Sequence, residues 1–167
     1  ELDAESRHLV LLCRNEEGYR NLSFMVSKGF VEGFYIKPRI DMALLRKHCG
    51  GLIALSACLA GEIPKRLVNG EYENAKAYAL EMRDLFGEDG FYLELQDHGI
   101  RNQAVVNQGL LRLHEETGIP LVCTNDCHYL APEDAESHDV LLCIQTGKLV
   151  EDEKRMRYEP RNFYLRS

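Results

Sequence analysis

Four short apolar runs, residues 8–13, 52–57, 91–95 and 119–124, recur along this chain, each followed by a segment with helical spacing. The runs are apolar throughout rather than alternating, the pattern of strands covered on both faces. Strands and helices in strict succession imply parallel strands joined by right-handed crossovers. The expected fold class is therefore α/β, a single unit of mostly parallel strands alternating with helices, open or barrel-like. No internal repeat, low-complexity tract or interdomain linker interrupts it.

Local signals set the helices. Asn15 offers an N-cap, Glu16 and Glu17 suit a first turn, and Tyr19, Leu22 and Val26 keep helical spacing up to Gly29. Asp41 caps a short helix through His48 that Gly50 and Gly51 stop. Ala75, Tyr78, Met82 and Leu85 share one face of a helix over 73–86. Val106, Leu110 and Leu113 line another that closes at Gly118, and a last helix spans 132–145. Residues 30–39 read as an aromatic and basic loop, and the tail beyond 150 as charged and less regular.

Bulk properties narrow the function classes. The chain has 167 residues, enough for one domain or a large part of a bigger one. No apolar run approaches the roughly 20 residues that cross a bilayer, so no membrane partner is expected. The first residues are acidic where a signal peptide would be basic, and no Met opens the chain, which suggests a fragment. A net charge of −7 argues against a principal nucleic-acid surface and suits a metal site. The six cysteines lack the spacing of a secreted disulfide framework, so a reduced, cytoplasmic setting is expected. Cys123, Cys127 and His128 resemble half a zinc finger, but no second pair follows at finger spacing.

Chemistry-bearing residues gather at strand ends. Asp126 and His128, one residue apart after the fourth run, point to the same side of an extended backbone and can reach one metal. The third run ends in Gln96-Asp97-His98 and the second in Cys58, while His8 starts the first. Imidazole, thiolate and carboxylate are the ligands zinc takes, and manganese favours the nitrogen and oxygen subset. His48, His114 and His138 fall on helices and read as surface or packing residues. Cys13, Cys49, Cys123 and Cys143 read as small core residues. Glu62 and Glu94 are candidate catalytic carboxylates, although Glu94 inside a strand also suits a polar barrel interior. Lys37-Pro38-Arg39 reads as a surface turn or a phosphate clamp.

Longer stretches carry a resemblance. Gly33-Phe34-Tyr35-Ile36-Lys37-Pro38-Arg39-Ile40-Asp41, Ala54-Leu55-Ser56-Ala57-Cys58-Leu59-Ala60-Gly61-Glu62, Leu95-Gln96-Asp97-His98-Gly99, Thr124-Asn125-Asp126-Cys127-His128-Tyr129 and Ile144-Gln145-Thr146-Gly147 resemble, in order, the PHP (polymerase and histidinol phosphatase) domain of bacterial DNA polymerase III alpha subunits. The resemblance implies a distorted (β/α)7 barrel with up to three divalent ions, zinc or manganese, at one end. It places His8, Cys58, Asp126 and His128 at ligand positions, with His98 as a further candidate. The family's opening His-x-His motif, a second-motif histidine and an early-strand glutamate have no counterpart here. The expectation is thus that residues 1–167 form the C-terminal portion of a PHP domain, ending in a tail that leads toward a polymerase region.

The same resemblance implies a parent DNA-directed DNA polymerase, using Mg for polymerisation, with DNA, a sliding clamp and a proofreading exonuclease subunit as partners. For the PHP site it implies a phosphoesterase or 3′–5′ exonuclease working through metal-activated water. One alternative is a silent scaffold for the proofreading subunit; a weaker one is a free-standing PHP phosphatase.

Overall fold

The structure is a computed structural model that describes residues 5–166. In chain order its elements are β1 (Val10–Cys13), α1 (Glu16–Val31), α2 (Met42–His48), β2 (Leu52–Leu55), α3 (Glu62–Val68), α4 (Tyr72–Phe86), β3 (Phe91–Leu95), α5 (Arg101–Thr117), β4 (Leu121–Cys123) and α6 (Ala135–Thr146). A single 3-10 turn, Pro132–Asp134, leads into α6. The described strands form one sheet in the order β1-β2-β3-β4. The mixed α/β class expected from the sequence is the class observed.

The caps work as their residue types dictate. The Asn15 side chain accepts the Gly18 N–H at 3.0 Å and opens α1, and Asp41 accepts the Leu44 N–H at 2.8 Å and opens α2. Helix α5 closes on Gly118 at φ 72°, whose N–H donates to the His114 carbonyl. Gly18 and Gly51 form the tightest joint: a Cβ on Gly18 would collide with the Gly51 carbonyl, and Gly51 itself sits at φ +72°. That contact lets α1 lie directly on the turn entering β2.

One face of the sheet builds the core. Leu52, Ala54, Phe91 and Leu93 pack with Met25, Leu45, Ile63, Ala75, Ala79, Met82, Val106, Leu110, Leu113 and Ile119. Burying a side chain such as Leu110, which is 0% exposed, contributes about 1.5–3 kcal/mol. The period of two turns Glu94 to the opposite face.

Three expectations are corrected. First, β1 pairs antiparallel with β2, Val10 opposite Leu55 and Cys13 opposite Leu52; only β2-β3 and β3-β4 are parallel. Helices α1 and α2 bring the chain back to the exit of β1, where the Arg14 N–H donates to the Gly51 carbonyl at 2.9 Å, so β2 runs back along β1. Second, helix α3 spans Glu62–Val68, where no helix is expected from the sequence; Pro64 sits in its first turn, where a missing N–H costs nothing. Third, Leu12, Cys13 and Cys123 are exposed, so full coverage fails at β1 and β4. Of the four cysteines read as core, Cys143 is buried, Cys49 is half-buried, and Cys13 and Cys123 are not buried.

Candidate metal centre

Reversal of β1 decides where His8 goes. A parallel β1 would put its first residue at the far end of the sheet. Antiparallel pairing instead sets the start of β1 beside the C-terminal end of β2. There His8 bridges to Gly61, its N–H donates to the Ala60 carbonyl at 3.0 Å, and its Nδ1 lies 3.5 Å from the Cys58 Sγ. The sequence could name both residues but not bring them together.

The other pair follows β4. Asp126 Oδ1 lies 3.4 Å from His128 Nε2, so the single-residue spacing does put both groups on one side. Both pairs line one cavity of about 1640 Å³, together with Glu62, Glu94, Gln96 and Thr124. Lys37, Pro38 and Arg39 also border it, so that basic turn faces the candidate site. Among the described residues no three His, Cys, Asp or Glu side chains already form a ready-made metal cage. The donors stand as two pairs.

Their chemistry nonetheless fits a divalent ion. Two imidazoles, a thiol and a carboxylate on one cavity are a zinc-type set, and without the thiol a manganese-type set. Glu94 adds an unsatisfied acceptor. It is 5% exposed; its Oε1 accepts from Gln96 and from the Thr124 hydroxyl, while its Oε2 is buried without a partner. A buried carboxylate oxygen left in that state is costly, and a cation or donor entering the cavity would relieve it.

Glu62, the second candidate carboxylate, is committed elsewhere. It meets Arg7 Nε at 2.9 Å and Arg66 Nη2 at 2.6 Å. Nearby, hydrogen bonds from Lys65 and Arg7 hold the Glu5 carboxyl down to about 2. This cluster fastens the segment before β1 to α3 through charge.

His98 is not among the cavity-lining residues. It is 1% exposed, and Gln103 engages it twice: the Gln103 amide donates to His98 Nδ1 at 2.9 Å and accepts the His98 N–H at 2.8 Å. Of the helix histidines, His48 meets Asn21 at 3.3 Å and His114 donates to the Ile119 carbonyl at 2.8 Å, both packing roles as expected. His138 differs: its ring lies 5.6 Å from that of His128, and burial pushes its pKa down.

The tail contributes more than its irregular sequence suggested. The Phe163 carbonyl accepts the His128 N–H at 2.8 Å, the Phe163 N–H donates to the Tyr129 hydroxyl at 3.2 Å, and the Asn125 amide donates to the Tyr164 carbonyl at 2.7 Å. The Tyr158 ring lies 4.6 Å from His128. Phe163 meets His128 in a T-shaped contact at 5.4 Å and stacks on His98 at 4.6 Å, the planes 8° apart. Arg155, 3% exposed, grips Asp139 of α6 with two 2.6 Å bonds and lowers the Asp139 pKa. Aromatics spaced through the charged tail were the signal available in the sequence.

The PHP domain family matches residues 1–98, which include His8 and Cys58. Curated relatives extend the match through the Asp126–His128 loop. DNA polymerase III subunit alpha of Treponema pallidum is 46% identical over 160 residues, 96% of this chain and 14% of that protein. The same subunit of Borreliella burgdorferi is 45% identical over 167 residues, 100% of this chain and 14% of that protein. That of Thermus aquaticus is 43% identical over 166 residues, 99% and 14% respectively. The chain thus spans about a seventh of the length of these relatives.

Proposed function

The chain belongs to the PHP domain family, and from that premise we propose that it is part of a bacterial DNA polymerase III alpha subunit, in which it forms one side of a metal-dependent phosphoesterase site. In this reading the four strands are a section of a (β/α)7 barrel, and the cavity is the barrel's functional mouth. The observation that carries it is the convergence of His8–Cys58 and Asp126–His128 on one cavity from opposite edges of the sheet.

A divalent ion held there supplies concentrated positive charge, which favours ionisation of water and stabilises charge developing on a phosphate. The chain's own residues do the holding. His8 and His128 offer imidazole nitrogen, Cys58 sulfur and Asp126 oxygen, with Glu94 behind them as a buried negative group. Lys37 and Arg39 at the border suit the phosphates of a nucleic-acid end. Polymerisation with Mg, contact with duplex DNA, the sliding clamp and the proofreading subunit, and a cytoplasmic setting belong to the whole protein under this proposal. For membranes, no described helix is long and apolar enough to cross one.

The test is metal binding by the full-length protein. Asp126→Ala and His128→Ala should each weaken zinc or manganese binding more than about tenfold, since even outer-shell changes cost about 10–100-fold. Undiminished binding in both variants would sink the reading. A scaffold for the proofreading subunit is the second reading, favoured by the exposed Phe30, Val31, Phe34 and Ile36 at and beyond the end of α1. A protein that retains the exonuclease subunit but takes up no metal would select it.

A further inference from the structure

We propose that the tail segment 158–164 is a positioning strap for the candidate metal centre, with Phe163 as its key and His98 as the fixed platform on which that key is seated. The inference rests on the metal reading above and concerns residues which that reading does not use. Loop 124–131 carries Asp126 and His128 but has no regular structure of its own. Something else must fix it, because a ligand pair displaced by even 1 Å loses most of its worth.

The strap supplies that constraint from two directions. Along the backbone, the Phe163 carbonyl takes the His128 N–H and the Tyr164 carbonyl takes the Asn125 amide, bracketing Asp126 on both sides in sequence. At the side chains, the Tyr158 and Phe163 rings confine the His128 imidazole. Confinement sets the ring's rotamer, and with it the direction of Nε2 toward Asp126.

Phe163 could not do this from a soft seat. It is 5% exposed and lies flat on His98, whose ring meets the Gln103 amide of α5 and whose backbone N–H donates to the same side chain. The ring Nε2 is buried without a partner. A buried, clamped imidazole is a stacking surface, and the order of contact runs α5, Gln103, His98, Phe163, His128. The Gln96-Asp97-His98 segment thereby gains a task other than ligation.

The experiment uses the full-length protein loaded with Co²⁺ in place of the native ion, reading affinity, the visible d–d spectrum and thermal unfolding together. Phe163→Ala should weaken Co²⁺ binding about tenfold or more and shift the ligand-field bands. Tyr129→Phe removes only the hydroxyl that accepts the Phe163 N–H, so it keeps the protein folded and should give a smaller shift in the same direction. Phe163→Tyr, which keeps the ring, should restore the spectrum. Unchanged affinity and spectrum in both Phe163→Ala and Tyr129→Phe, with Asp126→Ala still weakening binding, would overturn the strap and leave the metal reading standing. Unchanged binding in Asp126→Ala as well would overturn both.

Discussion

The two donor pairs are held by different kinds of matter. Cys58 follows β2, a strand rooted in the packed core, and His8 precedes β1, the edge strand whose ladder with β2 carries it. Asp126 and His128 stand on an irregular loop beneath a strap made of hydrogen bonds and ring contacts, and the Arg155–Asp139 ion pair ties the tail just before it to α6. Apolar packing is cooperative and non-directional, so Cys58 is as stable as the domain, and His8 is as stable as the β1–β2 ladder beside it. Directional contacts of about 1 kcal/mol each define position well but open locally. The lesson is that one half of the site shares the fate of the fold, whereas the other can be loosened without unfolding anything.

Three measurements sharpen or break that contrast. Leu110→Ala, at the centre of the core, should cost about 2–5 kcal/mol in urea denaturation and lower the stability of both pairs together. Selective loosening of loop 124–131 by this variant would break the comparison. Asp139→Asn should have a smaller effect, confined to the tail and α6, seen as faster amide exchange over 147–166. Its pH dependence has a definite sign: Arg155 depresses the folded pKa of Asp139. The ion pair therefore contributes fully above the ordinary carboxylate range and is lost as pH falls through the lower, folded value. The difference between wild type and Asp139→Asn should close in acid; a constant gap would show that shape rather than charge holds the tail. The smallest effect is expected from Asn125→Ala, which removes one bond to the strap at about 0.5–1.5 kcal/mol. It should speed exchange of the His128 amide while leaving that of Leu93 unchanged.

How much was legible in the sequence follows the same divide. Capping by Asn15 and Asp41, the core faces of α4 and α5, and the spacing of Asp126 and His128 are local properties, and residues a few positions apart encode them. The direction of β1 is not local. It depends on where α1 and α2 return the chain, and that depends on the Gly18–Gly51 contact across the fold. Helix α3 is only seven residues long, too short for its apolar spacing to stand out, although Pro64 is welcome in a first helical turn. The strap was invisible for a plainer reason. Its bonds use backbone carbonyls of Phe163 and Tyr164, which every sequence has, so only Tyr158 and Phe163 could hint at it. Likewise His98 ends the third apolar run beside Asp97, but only its surroundings distinguish a ligand from a stacking surface.

The antiparallel ladder of β1 also sets where the gene can change length. Val10 through Cys13 are locked opposite Leu55 through Leu52, and a one-residue slip would turn every β1 side chain to the other face. The turn at Arg14–Asn15 is pinned as well, because the Arg14 N–H donates to the Gly51 carbonyl at 2.9 Å and Asn15 caps α1, so an insertion there would loosen the joint between α1 and β2. An insertion at Leu9 would rotate the imidazole away from Cys58 and disturb the packing of Leu9 on the core. Length variation is thus restricted on both sides of four paired residues, by the fold on one and by the fold and the site together on the other.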